Sequence, residues 1–180
     1  FIVVLGAVFT LARFNEAFLV LRAQGLGLVI GYVPAVMIVM NVVYAGTAYP
    51  AGLIADRLSE RTLLLAGLAV LIVSDLVLAS ATAPLEVFLG TAFWGLHMGL
   101  TQGLFSKLVA DAAPARLRGT AFGIFNIASG GALLLASVIA GALWGTFGPS
   151  ATFRVGALFA AVAMIGLMVH QGNRRRAQSS

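Results

Sequence analysis

The chain has 180 residues, of which 61% are hydrophobic and only 9% charged, with a mean hydropathy of +1.03 and no cysteine. A soluble domain carries about 25% charged residues, so there is too little polar material here to cover a water-facing surface. The absent cysteines exclude disulfides and thiolate metal sites.

An integral membrane protein remains. The bilayer core offers no water to backbone groups, so a spanning chain must be helical or a closed barrel. The apolar runs are continuous rather than alternating, which points to helices. About 20 apolar residues cover the roughly 30 Å of hydrocarbon. The first spanning segment is 1–21, interrupted by Arg13, Asn15 and Glu16. Its start at Phe1, inside an apolar run and without an initiator Met, is that expected of part of a longer protein. Gly25 and Gly27 mark a turn. The second segment is 28–51, with Pro34 near its start and Pro50 at its end. A charged island, Gly52 to Arg61, separates it from the third segment, 62–80.

The fourth segment, 85–107, follows a turn at Ala81–Pro84 and carries Glu86 at its outer end and His97 and Gln102 further in. A second charged loop runs from Asp111 to Arg118. No charge then appears until Arg154, and the Gly145–Ser150 cluster divides that stretch into segments 120–144 and 151–171, followed by a polar tail, 172–180. The fold class expected is all-α integral membrane with six transmembrane helices. Six crossings put both ends on one side. Eight basic residues, Arg57, Arg61, Lys107, Arg116, Arg118, Arg174, Arg175 and Arg176, share that side, against Arg22 and Arg154 on the other. The positive-inside rule makes the first side cytoplasmic. The formal charge of +5 therefore reads as topology and contact with the lipid bilayer, and no nucleic acid partner is expected.

Ionisable groups at membrane depth are costly and face a bundle interior or a wet cavity. Arg13 and Glu16 fit a substrate or proton pathway, or an ion pair locking two helices. His97 fits a proton carrier or a hydrogen-bonding strut. Asp75, in the outer half of the third segment, is read as the partner of a basic group on a neighbouring helix, with a coupling carboxylate as the alternative. Asn41, Tyr44, Gln102 and Asn126 are neutral polar groups suited to a cavity wall. Gly95, Gly99 and Gly103, with Gly119/Gly123 and Gly141/Gly145, recur every four residues and favour close helix packing, with hinging as the alternative. No His, Cys or carboxylate cluster has metal-ligand spacing, and no nucleotide-binding, zinc-hydrolase or nucleophile-elbow pattern occurs. Neither a cofactor nor an enzymatic activity is expected.

The island Gly52-Leu53-Ile54-Ala55-Asp56-Arg57-Leu58-Ser59-Glu60-Arg61 resembles the signature loop of the major facilitator superfamily at Gly52, Asp56, Arg57 and Arg61. Ser59 stands where that pattern has a second Gly, and Thr62 where it has a final basic residue. The second loop, Pro114 to Gly123 with Arg116 and Arg118, resembles the loop entering the eleventh helix of those transporters. The resemblance covers essentially the whole chain. It implies the carboxyl-terminal six-helix half of a twelve-helix secondary transporter, built as two inverted three-helix repeats with substrate bound between halves. By family pattern, Asp56 and Arg57 would act at a cytoplasmic gate, and Arg13, Glu16, His97, Gln102 and Asn126 are favoured over Asp75 for transport. The function implied is alternating-access transport of a small-molecule substrate, driven by a coupling ion such as H+, in the plasma membrane (a bacterial inner membrane). It calls for an amino-terminal half or a second copy of the chain. The alternative is a non-transporting six-helix scaffold, which a dry interior would favour.

Overall fold

Ala17–Gly25 follows Ile2–Ala12 after a four-residue interruption, so the first crossing is one rod broken in the middle. The computed structural model describes the backbone of residues 2–55 and 57–178, and the side-chain environments of 3–55 and 57–169. The helices are α1 (Ile2–Ala12), α2 (Ala17–Gly25), α3 (Val33–Ala55), α4 (Glu60–Ser80), α5 (Pro84–Asp111), α6 (Arg118–Phe147) and α7 (Pro149–Gln178). Single 3-10 turns, Ile30–Tyr32 and Ala115–Leu117, lead into α3 and α6. With α1 and α2 taken together these make six rods, and no strand occurs among the described residues.

The ends of the rods follow local chemistry. Ser59 accepts the Thr62 N–H at 3.2 Å, and the two hydroxyls lie 2.8 Å apart. The two positions that depart from the signature pattern thus make the N-cap of α4. Glu86 accepts the backbone N–H groups of Thr82 and Ala83, which is one half of a capping box at the start of α5. Between α6 and α7 the turn is one residue, Gly148, at φ +84°, a conformation that favours glycine, and Pro149 opens the next helix.

Several ends differ from expectation, three of them with consequences. The α3 helix runs through Pro50 to Ala55. The N–H that Pro50 lacks would have met the carbonyl of Gly46, and the helix continues past that missing bond, as membrane helices with neighbouring segments tolerate. The α5 helix continues to Asp111, giving 28 residues and about 42 Å at 1.5 Å per residue, longer than the hydrocarbon core. The α7 helix continues to Gln178, through most of the stretch expected as a polar tail. The side chains of Arg174, Arg175 and Arg176 lie outside the described residues, as does Asp56.

Among the described residues, five stretches are long and apolar enough to cross a membrane: Val3–Gly25, Ile30–Ala55, Glu60–Ser80, Ala115–Phe147 and Pro149–Val169. The α5 helix is not among them, yet it is the rod with most neighbours on both sides, packing against α3 and α4. Its polar and glycine positions face protein: Gly90, Thr91, Trp94, Gly95, His97, Gly99 and Thr101 are buried. The α6 helix is the converse. It buries only Ala136 and Ala140 and exposes Ile127, Leu134, Leu135 and Val138. In water such a face would be unstable; in a bilayer, lipid or another bundle covers it.

The glycine stripes divide in the same way. A methyl group on Gly95 would strike the carbonyl oxygen of Met40, and one on Gly99 the Thr47 hydroxyl. These two glycines let α3 and α5 touch through their backbones. Nothing lies within 4 Å of the corresponding positions at Gly103, Gly119, Gly123, Gly141 and Gly145. The expectation of close packing holds within this chain for Gly95 and Gly99; the other glycines sit on outer or cavity-facing surfaces.

Candidate functional site

The break between α1 and α2 is built by Arg13, Phe14, Asn15 and Glu16. The Arg13 N–H closes α1 on the Thr10 carbonyl at 3.1 Å. The Asn15 side chain then accepts the Ala17 N–H at 2.8 Å and opens α2 in the manner of an Asx turn. Phe14, buried, is driven inward. Its ring lies 5.3–5.5 Å, centroid to centroid, from those of Phe18, Trp94 and Phe153, aromatic contacts that fix the bend. Irregular backbone at membrane depth is tolerated where it is buried in protein or lines a cavity, and both apply here.

Arg13 leaves this break on the side of a cavity of about 280 Å³ between α1, α5 and α6. Four of the residues singled out from the sequence, Arg13, His97, Gln102 and Asn126, line it together, one or two from each rod. Phe9, Phe105 and Phe125 supply its apolar wall, with Phe9 edge-on to Phe105 at 5.0 Å. Gly6 completes that wall: a methyl group there would collide with the Phe125 ring. Asn126 is exposed at the rim, so the cavity opens sideways out of the bundle.

His97 is buried at 2% exposure and sets the crossing of α4 and α5. Its Nδ1 lies 2.8 Å from the Gly67 carbonyl oxygen. A carbonyl only accepts, so Nδ1 is the donor in this contact. Gly67 is needed for this approach, since a methyl group there would meet Thr101. The strut reading of His97 is therefore realised in the geometry, on a residue that also lines the cavity. Thr101 donates to the His97 carbonyl at 2.8 Å.

Glu16 is half-buried beside the break and does not line the cavity; Asn41 is exposed on α3 and donates to the Met37 carbonyl at 2.8 Å. No ion pair joins Arg13 to Glu16, the pair among the described residues being Lys107–Glu60 at 3.9 Å. Asp75 departs from its expected pairing. It is fully buried, neither carboxyl oxygen has a hydrogen-bond partner among the described residues, and it lies against Gly156 of α7. A basic partner is not what occupies that side of α4.

At the end of the bundle that carries the two charged loops, Arg57 and Arg116 are exposed. Arg61 donates to the Met168 carbonyl at 3.4 Å, tying α4 to α7, and Arg118 donates to the Ala110 carbonyl at 3.2 Å in the last turn of α5. Gly52 lines a crevice of about 210 Å³ between α3 and α5, with Tyr44, Gly99, Gly103 and Lys107. At the opposite end, Arg22 has a role that charge counting hid. Buried, it donates from Nε to the Leu78 carbonyl at 3.0 Å and from Nη2 to the Ala81 carbonyl at 2.7 Å, satisfying the carboxyl end of α4.

A bundle of membrane-length helices around a polar, side-opening cavity defines a multi-pass membrane protein. The chain matches the Major Facilitator Superfamily over residues 1–179, and it belongs to that family. It is 29% identical over 172 residues to an uncharacterised MFS-type transporter of Methanocaldococcus jannaschii, covering 92% of this chain and 43% of that protein. It is 32% identical over 119 residues to an uncharacterised MFS-type transporter of Bacillus subtilis, covering 66% of this chain and 28% of that one. The crystal structure of a POT family transporter in complex with 5-aminolevulinic acid shares the fold, with a TM-score of 0.75 at 21% identity over 93% of this chain and 37% of that one. The chain thus spans less than half the length of each of these proteins.

Proposed function

We propose that the protein carries a small solute across the membrane by alternating access, with this chain forming one six-helix bundle and a second bundle closing the open side of the cavity. The observation that carries the reading is the meeting of Arg13, His97, Gln102 and Asn126 in one cavity beside a broken helix. Discontinuous helices of this kind form substrate and ion sites in secondary transporters. The family membership and the transporter names of the relatives support it. Their greater length supports a second bundle, either further chain or a second copy.

In this proposal the driving ion is H+, with Glu16 at the break and His97 in the cavity as the proton-carrying candidates. The loop from Gly52 to Arg61, including Asp56 and Arg57, with Arg116 and Arg118, lies on the cytoplasmic side and holds one access state through charge and helix-end contacts. The positive-inside bias of these loops supports that sidedness. A bacterial inner membrane is the proposed location.

The test uses the full-length protein containing this chain, reconstituted in proteoliposomes carrying a pH-sensitive dye. A transported solute should dissipate an imposed pH gradient. Glu16→Gln should abolish that coupling while leaving expression intact. Normal proton-coupled flux in this variant would remove Glu16 from the mechanism, and a protein that moves neither solute nor protons would leave the scaffold reading in its place.

A further inference from the structure

The charge pattern of the cavity defines a class of solute. Arg13 is the single charged residue among its lining, and no carboxylate lines it. The guanidinium has neither a hydrogen-bond acceptor nor an ion-pair partner among the described residues, although Glu16 is only three positions on. Every other helix-borne arginine with a described inward contact is engaged on a carbonyl: Arg22 on Leu78 and Ala81, Arg61 on Met168, Arg118 on Ala110. Arg13, in the cavity lining, has no such carbonyl partner among the described residues.

The neutral polar groups around it sort by what they offer. The hydroxyls of Thr10, Thr101 and Ser106 already donate to the carbonyls of Gly6, His97 and Gln102, at 2.8, 2.8 and 3.2 Å. They retain lone pairs only. The Ser129 hydroxyl is buried in the same lining without a partner and, with the side-chain amides of Gln102 and Asn126, remains free to donate. Three phenylalanine rings form the remaining wall.

We infer that the solute is a small organic acid, whose carboxylate is received by Arg13 with Ser129, Gln102 or Asn126 as neutral donors, and whose apolar body lies on Phe9, Phe105 and Phe125. This rests on the transport reading above and names its substrate class. Glu16 acts on Arg13 only through space and from outside the lining, so a carboxylate supplies the direct partner the cavity lacks, whereas a cationic solute would add like charge beside the guanidinium. A carboxylate matches the guanidinium fork in a bidentate manner. The phenylalanines require more than a bare inorganic anion, because apolar contact contributes only to a solute that has an apolar part.

The test measures binding by calorimetry on the purified full-length protein, with benzoate, benzamide, benzylamine and inorganic phosphate as probes. Benzoate should bind at least about tenfold more tightly than any of the other three. Arg13→Gln should weaken benzoate by about 10- to 100-fold, the range of a hydrogen bond to a charged group, and leave benzamide unchanged. Asn126→Asp, which supplies a carboxylate within the same cavity, should abolish the preference without touching Arg13, so a poorly folding Arg13 variant does not shelter the proposal. Absent benzoate binding, equal binding of benzylamine or benzamide, phosphate binding as tight as benzoate, or a preference surviving both substitutions would each overturn it. Binding in this pattern without any flux in vesicles would instead sink the transport reading and leave the anion site standing; flux of a solute indifferent to both substitutions would sink the acid class alone.

Discussion

Replacing Arg22 by Leu should destabilise the bundle more than any other single change to its basic residues. The side chain is 8% exposed and makes two close hydrogen bonds, 3.0 Å to Leu78 O and 2.7 Å to Ala81 O, with weaker approaches of 3.4 Å to Ala79 O and Ser150 Oγ. A hydrogen bond to a charged group contributes about 1.5–3 kcal/mol. Counting only the two close ones, the loss is about 3–6 kcal/mol, because the carbonyls at the end of α4 stay buried with nothing to replace the donor. Arg22→Lys offers a single ammonium in place of a fork and should recover about half of that. Arg154, exposed on α7, is the control, and Arg154→Leu should change stability by less than about 0.5 kcal/mol. Reversible unfolding in mixed detergent micelles measures all three. An Arg22→Leu variant within about 0.5 kcal/mol of the parent, the range of an ordinary surface substitution, would show that the α4 terminus finds other partners and that the capping account is wrong.

The glycine stripe of α5 gives a paired prediction in the same assay. Gly95→Ala should cost about 1–3 kcal/mol through overpacking against the Met40 carbonyl, whereas Gly103→Ala, with nothing within 4 Å, should stay within about 0.5 kcal/mol of the parent; equal costs would refute the α3–α5 backbone contact. Asn15→Ala should cost about 1 kcal/mol by removing the acceptor for the Ala17 N–H, and Asn15→Asp should restore most of it. An unchanged stability in Asn15→Ala would mean that the break is held by the Phe14 cluster alone.

The membrane class, the six rods and the polar lining were legible in the sequence because each rests on local patterning: length of apolar run, spacing of turns, and the rarity of polar groups at depth. Arg13, His97, Gln102 and Asn126 stood out as isolated exceptions in hydrocarbon-like surroundings, and such exceptions converge because only an interior cavity tolerates them. Asn41 stood out for the same reason but is satisfied locally, by the carbonyl one turn before it, while Glu16 stands beside the break and outside the cavity lining. The role of Arg22 was not legible. Its acceptors lie 56–59 residues away, and a tertiary cap leaves no spacing signature. The central position of α5 was hidden for a related reason. A helix surrounded by protein need not be apolar, so hydropathy ranks it below α6, whose long hydrophobic face is exposed in this bundle. Asp75 read as half of an ion pair because partnered carboxylates are the usual case in membranes, and nothing local in α4 announces that it lies against Gly156 of α7 instead.

The central claim is that the side-opening cavity lined by Gln102 and Asn126 is reached by water. The chain contains no cysteine, so single substitutions Gln102→Cys and Asn126→Cys, with Leu158→Cys on the exposed apolar face of α7 as the control, can be labelled in native membranes with a charged methanethiosulfonate. Rapid labelling of the first two and none at Leu158→Cys is the result expected. Unreactive thiols at both cavity positions in the folded protein would contradict it and leave a dry bundle with no route for a solute.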